Sequence, residues 1–252
     1  MNTNRQTVTL KNAARKLAIA AGVCYLITHV TSIGAVFLYD PVLKNASYVL
    51  GAGADSQIIL GAIFDIILAL AIVGTAVSLF PIAKKQHEGI ALGYVGLRTL
   101  EAGVIAVGVL PLLAVVTLRQ HLTGTAEADP VTLVTFSSAL VSLYKWTTLI
   151  GPGLICGTNT VLMAYLMFKS RLVPRFIPVL GLVGGPIIFA LTVAKMLGLY
   201  DQNPAWVAAI AVLPIFSWEV SLALYLIIKG FKRTAFAPDA ASTAANALLS
   251  VA

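Results

Sequence analysis

Six apolar stretches, each long enough to cross a lipid bilayer, constrain this chain more than anything else in it. They run over about Leu17–Tyr39, Gln57–Phe80, Ile90–Leu118, Trp146–Phe168, Ile177–Leu199 and Trp206–Lys229. A membrane-crossing helix needs about 20 mostly apolar residues. Inside lipid only helices and closed barrels satisfy their own backbone polar groups. Only 11% of the 252 residues are charged and 59% are hydrophobic, against about 25% charged in ordinary soluble domains. So few charges do not cover the outside of a soluble fold of this length. The fold expected is all-α: an integral membrane protein built as a single bundle of six transmembrane helices.

The connections between the stretches are of two kinds. Residues 5–16, PIAKKQHE (Pro81–Glu88), KSRLVPR (Lys169–Arg175) and KGFKR (Lys229–Arg233) hold 12 of the 17 lysines and arginines. The alternate connections, Asp40–Ser56, Arg119–Pro130 and Tyr200–Ala205, hold two, Lys44 and Arg119. Because cytoplasmic loops carry the excess of basic residues, both termini are expected in the cytoplasm. The chain then divides into a polar N-terminal segment (1–16), a transmembrane domain (17–232) and an alanine- and serine-rich tail (233–252) expected to be disordered. The first apolar run exceeds the roughly 7–15 residues of a signal-peptide core, and we read it as a retained helix.

The net charge of +7 raises the question of a nucleic-acid partner. The basic residues sit at the ends of apolar segments, not interleaved with aromatics on a polar face, so no nucleic-acid partner is expected. Cys24 and Cys156 lie inside apolar segments and are read as packing residues. No phosphate loop, zinc-protease helix, nucleophile elbow or dinucleotide fingerprint is present. No catalytic residue, metal site or cofactor is therefore expected, and the sequence argues against an enzyme.

What is unusual is charge at depth. At 1.5 Å per residue, Glu101, Glu219 and His29 lie near the bilayer centre, with Asp65 toward one side of it and Arg98 toward the other. Each such charge opposes insertion by roughly 3 kcal/mol, so these side chains must face inward and find partners. Arg98 and Glu101, three apart on one helix, are placed to pair directly. Asp65 and Glu219 are then left with His29 and distant lysines, and Glu219 is the carboxyl expected to hold a proton. Asp65, Arg98, Glu101, Glu219 and His29 form the candidate intramembrane polar site. Its ligand would be a small molecule or a proton.

Two features concern packing. Small residues four apart, at Gly89/Gly93, Gly153/Gly157 and Gly181/Gly185, permit close helix approach. Before the fourth stretch, Thr132, Thr135, Ser138, Ser142 and Lys145 form one polar stripe at helical spacing. Residues 131–145 are then either a helix lying on the membrane surface or an extension of the fourth helix. Gly151-Pro152-Gly153 should loosen the helix that follows.

The stretches YVLGAGAD (Tyr48–Asp55), GTAVSLFPIAKKQHEGIALGYVGLRTLE (Gly74–Glu101), AYLMFKSRLVPRFIPVLGLVGGP (Ala164–Pro186) and PIFSWEVSLALYLIIKGF (Pro214–Phe231) together resemble the bacterial membrane family called domain of unknown function 4386. The likeness covers roughly residues 14–232. In that pattern the Arg and Glu of the third helix fall at Arg98 and Glu101. A Ser-x-x-x-Pro-Arg turn falls at Ser170, Pro174 and Arg175, and a Trp-Glu pair at Trp218 and Glu219. Where relatives often have Glu in the second helix this chain has Asp65, whose shorter side chain weakens any reach to Arg98. The resemblance implies a multi-pass protein of the bacterial cytoplasmic membrane. It implies no activity. The buried charges leave two readings, a transporter of a small solute or proton and a non-catalytic scaffold or accessory subunit held together by them. Oligomeric state is not readable from the sequence.

Overall fold

The computed structural model describes residues 2–51, 53–122, 129–200 and 205–232. Six helices in it are long and apolar enough to cross a membrane: α1 (Asn2–Leu38), α2 (Asp55–Ala83), α3 (Glu88–Leu122), α4 (Pro130–Ser170), α5 (Phe176–Met196) and α6 (Ala205–Ile228). No strand occurs among the described residues. The helices form a closed ring in which each packs on its sequence neighbours and α6 returns to α1. The expected tail, 233–252, lies outside the described residues.

The first helix begins ahead of the apolar stretch, since α1 is already helical at Asn2. Nothing between residues 2 and 21 is glycine or proline, so no residue stops the helix there. The open question over residues 131–145 is answered by a single run from Pro130 to Ser170. Asp129 caps its start, its carboxylate accepting from the Thr132 N–H at 2.9 Å and the Thr132 hydroxyl at 2.8 Å. Pro130 takes the first helical position, where its missing N–H costs nothing. The polar stripe faces outward, while Leu133 and Ser137 turn into the bundle.

Midway along α4, Leu149–Ile155 is wound as a π-helix. Proline has no N–H to donate and clashes with the carbonyl four residues earlier, and the wider turn around Pro152 relieves both. Helix ends follow ordinary rules elsewhere. Gly198 and Gly230 close α5 and α6 with φ of +70° and +72°, the left-handed conformation that glycine adopts freely. The last carbonyls of α6 receive a cap from another helix, since the Arg15 guanidinium donates to Leu226 O, Ile227 O and Ile228 O.

Glycines set where the helices touch. A Cβ on Gly157 would stand 2.8 Å from Gly185 O, and one on Gly185 would stand 2.7 Å from Gly157 O. α4 and α5 therefore cross backbone to backbone at two of the spacings read from the sequence. α1 and α6 meet the same way, at Gly22 against Ala223 O.

Among the described residues, three buried apolar clusters hold the ring, a small one of Leu68, Ala69, Ile72, Ala102 and Ile105 between α2 and α3 and two larger ones toward its ends. One of the larger two, at the end bearing the chain termini, gathers Trp218, Tyr25, Tyr94, Leu79, Met163 and Leu222. The other, at the opposite end, is built from Tyr39, Ile58, Leu112, Val115 and Val116. Large apolar side chains also cover the outside, among them Val30, Leu70, Val77 and Leu110, each more than 60% exposed. That inside-out surface is what a lipid solvent selects. The polar residues lie between the two larger clusters.

Candidate functional site

Arg98 is the hub. It projects from α3 and is 3% exposed. One terminal nitrogen donates to Glu219 Oε1 at 2.7 Å, the other to Glu101 Oε2 at 3.2 Å, and Nε to Tyr94 Oη at 3.3 Å. Tyr94, Arg98 and Glu101 come from one face of α3 by their spacing of four and three. Glu219 is brought across from α6. The Tyr25 and Tyr94 rings flank the guanidinium at 5.4 and 5.8 Å, and their hydroxyls share a hydrogen bond of 2.9 Å. Asn159 Nδ2 from α4 donates to Glu101 Oε2 at 2.7 Å. His29 Nε2 lies 3.4 Å from Glu219 Oε2, close enough for charge attraction but not aligned as a hydrogen bond. The His29 ring meets Phe216 edge-on, 4.9 Å between centroids.

Four of the five residues singled out in the sequence thus form one network. The pairing differs from the expectation. Arg98 does not belong to Glu101 alone, and its shorter contact is to Glu219. Asp65 stands apart from this group. It is 7% exposed, makes no ion pair among the described residues, and accepts the Tyr39 hydroxyl at 3.0 Å. The α1–α2 contact explains that partner. Gly61 leaves room for the Tyr39 ring, which lies 2.7 Å from where a Cβ would be.

Beside the network is a cavity of about 360 Å³, within the usual range of small-molecule sites. One end is charged, formed by His29, Arg98, Glu101 and Glu219; its walls are apolar, including Leu68, Ile72, Ile105 and Ile188. α1 and α6 touch at Gly22. Ile33 and Val36 of α1 and Val212 and Phe216 of α6 line the cavity and are also exposed on the outside. The seam between these helices is where the cavity meets the surroundings. Pro152, at the π-helical turn, forms part of the opposite wall.

A second polar group ties the end opposite the termini. Asp55, in the first turn of α2, accepts from Arg119 Nη1 at 2.9 Å, Tyr48 Oη at 2.8 Å and Gln120 Nε2 at 3.1 Å. Burial pushes the Tyr48 phenol up, and its hydrogen bond to Asp55 adds to that. Hydrogen bonds from Thr132 hold the exposed Asp129 carboxyl below its usual range.

Sequence reasoning did not find Tyr25, Tyr39 or Pro152 as parts of the site. Tyr94 was detectable as the residue four before Arg98, and Asn159 as an amide within an apolar span. Tyr25 and Tyr39 carried no such signal, because tyrosine is ordinary in a membrane helix.

Fold and site together define a polytopic α-helical membrane protein with an ionic network buried in the bundle. A family described as Domain of unknown function (DUF4386) matches residues 20–230, and the chain belongs to it. No curated protein and no solved structure matches it significantly.

Proposed function

We propose that this protein is a carrier of the bacterial cytoplasmic membrane, threaded with both termini inside, that moves a small solute or a proton through the cavity between α1 and α6. The observation that supports this most is the cavity's composition, apolar along its walls and ionic at one end. A solute suited to it has an apolar body and one polar head. Each nitrogen of Arg98 is already bonded, to Tyr94, Glu101 and Glu219. What the charged end offers a ligand is therefore the carboxylate side of the network. With one arginine against two carboxyls, a proton or a cationic head completes the balance, and His29 and Glu219 are the groups placed to exchange it. The exposed seam gives such a solute a route from the lipid.

The same bonding of Arg98 favours one other reading, in which the network is structural glue in a scaffold or accessory subunit. Lipid supplies no hydrophobic drive between helices, and interhelical hydrogen bonds serve instead. An infrared measurement separates the two. In reconstituted protein the carboxylic C=O stretch is recorded between about pH 5 and 8 for the native chain and for Glu219→Gln. A titrating band lost in the variant means that protons reach the cavity's charged end. If no band titrates, the carboxyls are sealed in ion pairs, and the scaffold reading replaces the carrier.

A further inference from the structure

Beside the main cavity, toward the end opposite the termini, is a smaller chamber of about 150 Å³. The two share Ser32, Val36, Leu68, Ile105 and Pro152 as common walls. Asp65 lies in the smaller chamber, and no lysine, arginine or histidine is among the residues lining it. A buried carboxylate without a counter-ion is costly, and among the described residues only the Tyr39 hydroxyl is bonded to this one.

The hydroxyls of Ser32, Tyr39, Thr147 and Thr148 near Asp65 are spent in one direction, while that of Tyr144, which also lines the chamber, donates to no group among the described residues. Ser32 Oγ donates to His29 O at 3.3 Å, Thr148 Oγ1 to Tyr144 O at 3.1 Å, and Tyr39 Oη to Asp65 itself at 3.0 Å. A hydroxyl has one proton to give and two lone pairs. With the proton committed, each of these oxygens is left only as an acceptor. The chamber therefore offers several lone pairs, one negative charge and the single Tyr144 donor, and the ligand this set fits is a cation.

The geometry points to a monovalent cation site at Asp65, with Ser32, Tyr39 and Thr148 as supporting oxygens, adjoining the solute cavity. One carboxylate matches one positive charge; calcium-type sites take six to eight oxygens with several carboxylates, and magnesium demands a near-octahedral shell. The chamber's size excludes a cation with a bulky organic body. The inference rests on the carrier reading only in making this cation the coupling ion, since the shared wall at Pro152 lets occupancy of one compartment bear on the other.

The test uses the full chain in lipid nanodiscs and follows thermal unfolding with sodium chloride exchanged for choline chloride at constant ionic strength. Potassium and ammonium chloride serve as parallel arms. Sodium, or one of the other two small cations, should raise Tm saturably over choline, by on the order of 5 °C at a hundredfold excess over Kd. Asp65→Asn should abolish the response. Ser32→Ala, which keeps the carboxylate, should move half-saturation to about tenfold higher concentration. The site is refuted if no cation exceeds choline, if Asp65→Asn responds as the native chain does, or if Ser32→Ala leaves half-saturation unmoved. Because the readout needs no transport, a chain that binds the cation and carries nothing overturns the carrier reading alone. A carrier without a cation response overturns this site alone.

Discussion

Replacing Arg98 with methionine removes the only arginine in the network and leaves its surroundings in place. The structure sets what is lost: contacts of 2.7 Å to Glu219, 3.2 Å to Glu101 and 3.3 Å to Tyr94, at a side chain only 3% exposed. Methionine restores most of the volume, so packing is a minor part of the change. The dominant part is two carboxyls left in low dielectric without their cation. Breaking a buried ion pair by removing one partner costs about 3–5 kcal/mol. For a chain of this size each kcal/mol moves Tm by about 2–4 °C, so Arg98→Met should unfold roughly 6–20 °C below the native protein. A thiol-reactive dye reports the transition conveniently, because Cys156 is buried and Cys24 partly buried, and both are free. Adding Glu219→Gln to Arg98→Met removes one orphaned charge and should restore at least half the loss. A drop below about 1 kcal/mol in the single variant refutes the argument. So does a double variant that is simply additive, because residues in one network must couple.

Further expectations follow from other parts of the fold. Gly157→Leu forces a side chain against the Gly185 carbonyl and should cost about 1–3 kcal/mol, read as a fall in Tm, whereas Gly96→Leu, whose Cβ would meet nothing within 4 Å, should cost far less. The Asp129 carboxyl is held low, so its contribution to the start of α4 is full above the ordinary carboxylate range near about pH 4. That contribution should disappear as pH falls through its lower folded value, and faster exchange of the Thr132 amide would report it. Asp55→Asn removes the charge and one of the two oxygens that accept from Arg119, Tyr48 and Gln120, and proteolysis of the 44–54 connection should speed up as the end of α3 loosens.

Depth was legible in the sequence and azimuth was not. A fixed rise per residue places Glu101, Glu219 and His29 at one level from their distance to a helix end, and the structure gathers them around Arg98. Which helix faces which depends on the rotation of each helix about its axis, and that is decided at glycine contacts such as Gly22–Ala223 and Gly157–Gly185. For this reason the sequence paired Arg98 with its neighbour on the same helix and missed the shorter contact to Glu219. Asp65 shows the same limit. Its level is near the others, but its helix turns it toward Tyr39 and away from Arg98. The polar stripe from Thr132 to Lys145 was legible as a face, and only the continuous α4 shows that it points outward.

The π-helical segment of α4 has a consequence for how this chain varies. A wide turn is equivalent to an ordinary helix into which one residue has been inserted, and a helix advances about 100° per residue. Tyr144 and Thr148 on one side of Leu149–Ile155, and Cys156 and Asn159 on the other, therefore obey two different wheels. A single deletion within the segment would return it to an ordinary α-helix and leave the two halves of α4 in their present relative orientation, because the wide turn absorbs the extra residue. A one-residue deletion here should therefore leave Asn159 aimed at Glu101, whereas the same deletion in the ordinary helix between Cys156 and Asn159 would turn the amide away.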